Sequence, residues 1–317
     1  MTSATSAAFL PLLLGAAKIL APVVATLALG YAVGAGKLSR SGRAPELGWM
    51  SWLALYVLSP CQVFSGLYHA PVALREAATL FAVISAFLLV TGAIALGTAR
   101  AARLPQSLTY PFLLTVVFGN SGFYGIPVCF LAFGKEGFTR AVLYMCCTAI
   151  LSNTVGLYLA ARGKASSREA IATTTRSPIL WGLILSLVAR GTGVTEPKWA
   201  FDAVDFLSTA AIPLVLVLLG AQLAQLELER NLKPLCLSAG LRLIVAPLVA
   251  SQFVALAGFE GVNRAVVLVE AGMPTAIVVG LFAVHFGSEP RFAAAAVLLS
   301  TMLSPLTLLV LLALVGQ

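Results

Sequence analysis

Apolar runs of roughly 18 to 25 residues recur along this chain, and most of the charged residues fall between them. The runs cover 14–36, 48–68, 77–99, 109–133, 139–161, 177–194, 203–224, 234–258, 263–286 and 292–315. A helix needs about 20 apolar residues to cross the hydrocarbon core of a bilayer, so the pattern predicts ten membrane spans. A soluble fold is excluded: at 60% hydrophobic and 10% charged residues, with a mean hydropathy of +0.98, too little polar surface remains to enclose a core. The expected class is an all-α polytopic membrane protein.

The longest connection, 162–176, follows the fifth span and carries Arg162, Lys164, Arg168 and Arg176. It separates two halves of five spans, 1–161 and 177–317. Lysine and arginine concentrate in cytoplasmic loops. With the N-terminus outside, those loops hold Lys37, Arg40, Arg43, Arg100, Arg103, the four of the central loop, Arg230, Lys233 and Arg291, twelve against six opposite. The bias predicts both termini outside. The net charge of +8 therefore reads as a topology signal, and no nucleic-acid partner is expected. The N-terminus lacks the basic flank and cleavage site of a secretory signal, so the first span is expected to remain. Cys61, Cys129, Cys146, Cys147 and Cys236 all lie in apolar runs without metal-ligand spacing and read as small buried hydrophobes. No metal or cofactor is expected.

Two spans contain residues that a straight helix does not accommodate. In the fourth, Gly119-Asn-Ser-Gly-Phe-Tyr-Gly-Ile-Pro127 gathers three glycines, each weakening a helix by about 1 kcal/mol relative to alanine, and a proline without a backbone N–H. In the ninth, Glu270-Ala-Gly-Met-Pro-Thr275 sets Gly272 and Pro274 at mid-bilayer depth. Unpaired backbone in lipid costs several kcal/mol, so interruptions persist only where protein or a watery cavity shields them. Either run alone is compatible with the ordinary use of Gly and Pro in membrane helices. The halves, however, repeat one another: Pro60 and Pro213 are separated by the same 153 positions as the runs beginning Phe133-Gly134 and Phe286-Gly287. A half of five spans inserts its copy upside down, so the repeat is expected to be inverted, with broken, crossing fourth and ninth helices. The half-helix N-termini then offer partial positive charge to an anion, and the freed carbonyls offer acceptors to a cation or water.

GNSGFYGIP followed by FGKEG, the EAGMPTA run, and VLLSTMLSPLTL in the last span together resemble the auxin efflux carrier family. Lys37 after Gly30-Tyr31, the Leu58-Ser-Pro60 run and Leu241 to Pro247 extend the resemblance over nearly the whole chain. The resemblance implies a carrier within the bile acid and auxin carrier superfamily, with a scaffold part and a mobile part each drawn from both repeats. It implies export of a small organic anion, a carboxylate, by elevator-type motion, and a homodimer in the bacterial inner membrane. The short central loop resembles bacterial members more than plant exporters.

Asn120 has an amide that donates to a carboxylate or caps the broken helix. Ser121 either joins it or bonds its own turn. Gly125, Pro127, Met273, Pro274 and Thr275 belong to the two breaks and are expected at the substrate. Asn153 faces the same cavity or packs two helices. Glu270 is the one acid deep in an apolar run; such a group pairs, lines a cavity or takes up a proton. Arg242, comparably deep, is its fixed partner, an ion-coupling group with it, or a fork for a substrate carboxylate. His69 and His285 lie near span ends and read as interfacial. Transport by uniport or linked to protons is the leading expectation. A sodium-coupled symporter of the bile-acid type is the alternative within transport. An intramembrane enzyme or sensor is the alternative outside it, and no P-loop, aspartate-rich motif or zinc-type histidine pair supports it.

Overall fold

The computed structural model describes residues 2–38, 44–68, 73–161, 168, 172, 175–192, 197–227, 229 and 231–315. Arg40, Arg43, His69, Arg162, Lys164 and Arg230 lie outside the described residues. The described chain is helical: α1 (Thr2–Gly34), α2 (Gly48–Tyr68), α3 (Leu74–Ala101), α4 (Gln106–Val117), α5 (126–133) and α6 (135–160), then α7 (Pro178–Thr192), α8 (Lys198–Leu223), α9 (Leu232–Leu256), α10 (Gly261–Ala271), α11 (Ile277–His285) and α12 (Pro290–Val315). Gly134 parts α5 from α6, since its φ of 64° and ψ of −149° suit glycine and no helix. Among the described residues, seven helical runs are long and apolar enough to cross a membrane, and α7 is a shorter apolar helix. The protein is a polytopic membrane protein. At 1.5 Å per residue, α4, α10 and α11 each reach only about half way across a bilayer.

Three of the prolines follow a wide helical turn. Wide turns at Ala54–Leu58, Ser121–Gly125 and Leu241–Val245 each end two residues before a proline, namely Pro60, Pro127 and Pro247. In each, the residue before the proline donates its N–H five residues back: Ser59 to Ala54, Ile126 to Ser121 and Ala246 to Leu241. The wider turn accommodates the ring and the missing donor without breaking the helix.

The helices pack as two groups. In one, α1 lies along α8, and α2 packs on both α7 and α8. Gly30 and Gly34 let α1 touch the backbone of α8: a Cβ on Gly34 would stand 2.6 Å from the Ala221 Cα. In the other group α3 packs on α4 and α9, α10 on the run 126–151 and on α9, and α11 on α12. Between the groups α1 meets α12, and Phe123 packs against a small cluster that includes Leu47, Ala54 and Val215. Cys129, Cys146 and Cys147 are buried as expected, but Cys61 is only partly buried and Cys236 is exposed. The expectation for those two is corrected: in a membrane helix an apolar residue faces lipid as readily as protein, so hydropathy does not imply burial.

Candidate functional site

Helix α4 stops at Val117, and Phe118 turns to an extended conformation (φ −100°, ψ 113°) ahead of Gly119. Helix α10 stops at Ala271, where Gly272 follows and Pro274 has no N–H to continue the ladder. The two extended segments find each other. Asn120 N donates to Pro274 O at 2.7 Å and Ala276 N to Phe118 O at 3.0 Å, making an antiparallel bridge between Gly119 and Thr275. The Thr275 hydroxyl donates to Thr115 O at 2.8 Å, and its backbone N–H reaches Ser300 Oγ on α12 at 3.0 Å.

A helix end leaves four carbonyls without intrahelical partners, and in a membrane each must be met. At the end of α4, Leu114 O accepts from Phe118 N and Thr115 O from Thr275, while Val116 O and Val117 O accept from Arg242 Nη1 at 3.1 and 3.0 Å. At the end of α10, Leu268 O and Val269 O accept from Gly272 N, Glu270 O from Met273 N at 3.2 Å, and Ala271 O from Arg242 Nη2 at 2.6 Å. Arg242 Nε donates to Met273 O at 2.8 Å. The guanidinium therefore lies between the two breaks, flat against Gly119, where a Cβ would stand 2.6 Å from Nη2.

Arg242 and Glu270 are each 1% exposed, the only buried charged side chains among the described residues. No ion pair within 4.0 Å joins them; Arg140 on α6 instead pairs with Glu76 on α3. The Glu270 carboxylate rests on Gly125, whose absent side chain makes room for it; a Cβ there would stand 2.6 Å from Cδ. Cys129 Sγ faces Oε1 at 3.8 Å, and Oε2 has no hydrogen-bond partner.

On the other side of the crossing lies a cavity of about 310 Å³. Its head is formed by the first residues after each break, Asn120 to Phe123 and Ala276 to Val278, so the N-terminal turns of both half-helices face it. Helix N-termini carry about half a positive charge and suit anions. Asn120 Oδ1 accepts from Phe123 N at 3.3 Å, which leaves Nδ2 as a buried donor without a partner. Ser121, Thr148, Ser152 and Asn153 add neutral polar groups, while Tyr56, Phe118, Phe123, Met145 and Leu281 add apolar wall. No charged side chain lines the cavity among the described residues. It extends to Ser51, Ser177 and Gln222, at the ends of α2, α7 and α8 that adjoin the loops of Lys37, Arg176 and Lys233.

Of the residues singled out by sequence, Asn120, Ser121 and Asn153 line this cavity. Gly125, Pro127, Met273, Pro274 and Thr275 lie in the closed packing behind it, as do Glu270 and Arg242. Ser300, Thr115 and Ser238 escaped sequence reading, although Thr115 and Ser238 share a 2.8 Å hydroxyl contact that ties α4 to α9 beside the crossing. Gln222, which lines the cavity, also escaped; it donates from Nε2 to Ser51 Oγ at 3.2 Å and leaves a buried Oε1 without a partner. A polar residue near the end of an apolar run was the available signal for Gln222. For the hydroxyls there was none, because serine and threonine are ordinary in membrane helices.

A family model described as membrane transport protein matches residues 16–312. An uncharacterized transporter of Methanothermobacter thermautotrophicus is 27% identical over 296 residues, which cover 93% of this chain and 97% of the relative. An uncharacterized transporter of Methanocaldococcus jannaschii is 26% identical over 200 residues, or 62% of this chain and 65% of that protein.

Proposed function

The chain belongs to the membrane transport protein family, that of the auxin efflux carriers, and from that premise we propose that it exports a small organic anion, a carboxylate, by alternating access around the paired breaks. It is a transporter and not an enzyme. The observation that carries the substrate class is the cavity head: two half-helix N-termini converge there beside Asn120, whose buried amide donor lacks a partner, and no carboxylate among the described residues lines it to repel an anion. A neutral, donor-rich head with apolar walls binds a carboxylate on a small carbon body and releases it again, which a tight guanidinium fork would hinder.

The architecture in this reading is ten helices in two inverted repeats, 1–161 and 177–317, joined by the basic loop 162–176. Counting α4 with α5 and α10 with α11 as one interrupted span each supplies the ten. The grouping of α1, α2, α7 and α8 against the remaining helices fits a static scaffold and a moving transport part, with Phe123 at their boundary. The loops beside the cavity mouth are basic, so the cavity faces the cytoplasm and takes substrate from there; both termini are outside, in a bacterial plasma membrane. Glu270, buried with one oxygen unpartnered, is the group that links transport to protons. The protein works as a homodimer.

The test is uptake of labelled small carboxylates into proteoliposomes holding purified protein, with and without a pH gradient, in wild type and Glu270→Gln. Saturable flux is expected, following the gradient in wild type and indifferent to it in the variant. Absence of flux for every mono- and dicarboxylate tried refutes the substrate class.

A further inference from the structure

We propose that Arg242 is the resident cation of the crossing, a positioning residue whose guanidinium binds the carbonyl ends of both interrupted helices and makes the two breaks travel as one body without a bound metal ion. The transport arm of this inference rests on the carrier reading above; the structural arm does not.

Two helix C-termini, those of α4 and α10, converge at this point, each carrying about half a negative charge. Such a place, with freed carbonyls at the middle of a membrane, is where carriers with broken helices coordinate a cation. Here the carbonyl oxygens are already taken. All five N–H groups of a guanidinium find acceptors: Nε on Met273 O, Nη1 on Val116 O and Val117 O, and Nη2 on Ala271 O and, at a longer 3.5 Å, on Glu270 O. Two of those acceptors belong to the first break and three to the second. The planar fork thus bridges chain segments about 150 residues apart, in a way that a lysine's compact ammonium does not reproduce.

The local backbone is arranged around this group. Arg242 springs from the wide turn Leu241–Val245 on α9, and its neighbour Ser238 bonds Thr115 near the end of α4. Gly119 leaves the face of the guanidinium uncovered by any Cβ. Glu270 lies in the same buried region without an ion pair to the fork, so Arg242 is committed to carbonyls rather than to a carboxylate. Arg242 also has no part in the cavity wall, which separates this role from substrate binding.

The experiment compares wild type with Arg242→Ala, Arg242→Lys and Arg242→Gln, each purified in detergent and in proteoliposomes. The thermal midpoint of Arg242→Ala is expected to fall, and to rise again with millimolar guanidinium but not with N-methylglucamine at the same ionic strength. Wild type is expected to ignore both additions. In liposomes the carboxylate flux of Arg242→Ala is expected to drop at least tenfold and to recover severalfold with guanidinium, while wild-type flux is the same in sodium and in N-methylglucamine. If Arg242→Ala does not fold, Arg242→Lys is expected to keep a higher midpoint and more flux than the neutral Arg242→Gln. The inference is overturned if folded Arg242→Ala ignores guanidinium in both readouts, if the Gln variant matches the Lys variant, or if wild-type flux rises tenfold with sodium. A wild type that moves no carboxylate overturns the carrier reading alone, since the thermal arm still decides the role of Arg242.

Discussion

Asn120→Asp separates the two roles that Asn120 holds. Its Oδ1 caps the turn Ser121–Gly125 by accepting from Phe123 N at 3.3 Å, and its Nδ2 is a buried, unpartnered donor on a residue that lines the cavity head. Aspartate keeps the acceptor, and aspartate is as good an N-cap as asparagine, so folding stability should hold. The donor, however, is replaced by a negative oxygen. A hydrogen bond to a charged group is worth about 2 kcal/mol. Two unit charges 4 Å apart at an effective dielectric of about 20 repel by about 4 kcal/mol. The repulsion alone corresponds to roughly a thousandfold weaker binding. Asn120→Ala loses the cap, about 1 kcal/mol, together with the donor, but adds no charge. The two variants are therefore expected to change places between assays: Ala lowers the thermal midpoint more, and Asp raises the KM for carboxylate uptake more. Initial rates in proteoliposomes against substrate concentration, with thermal unfolding of the same preparations, measure both. Wild-type KM in Asn120→Asp, alongside impaired Asn120→Ala, would show that Asn120 only caps the helix and that the anion binds elsewhere.

Gly125→Ala should drive a Cβ into the Glu270 carboxylate and lower stability by about 1–3 kcal/mol, as overpacking does. Glu270→Ala in the same chain should return much of that loss, and additive losses in the double variant would refute the contact. Ser300→Ala should leave the Thr275 N–H buried without an acceptor, lowering the thermal midpoint by an amount equivalent to about 1–3 kcal/mol. An unchanged midpoint would mean that the bond contributes nothing to holding the second break.

The class of molecule and the places where regular helix ceases were legible in the amino-acid order, because both follow from local chemistry. Runs of apolar residues report the bilayer whatever they pack against, and Gly119 with Pro127, or Gly272 with Pro274, weaken a helix wherever they stand. The depth of Glu270 and Arg242 was legible for the same reason. Their partners were not. A fixed pair was one of the alternatives the sequence left open, yet Arg242 is bound to the main-chain carbonyls of Val116, Val117, Ala271 and Met273, and Glu270 rests on a glycine. A backbone carbonyl is the same group in every residue and leaves no mark in a sequence. Only the approach of α4, α9 and α10 decides which carbonyls are left over at one point. Likewise the cavity wall joins Ser51, Asn120, Asn153 and Gln222 from four separate helical runs, and what unites them is packing across the chain, which no local pattern encodes.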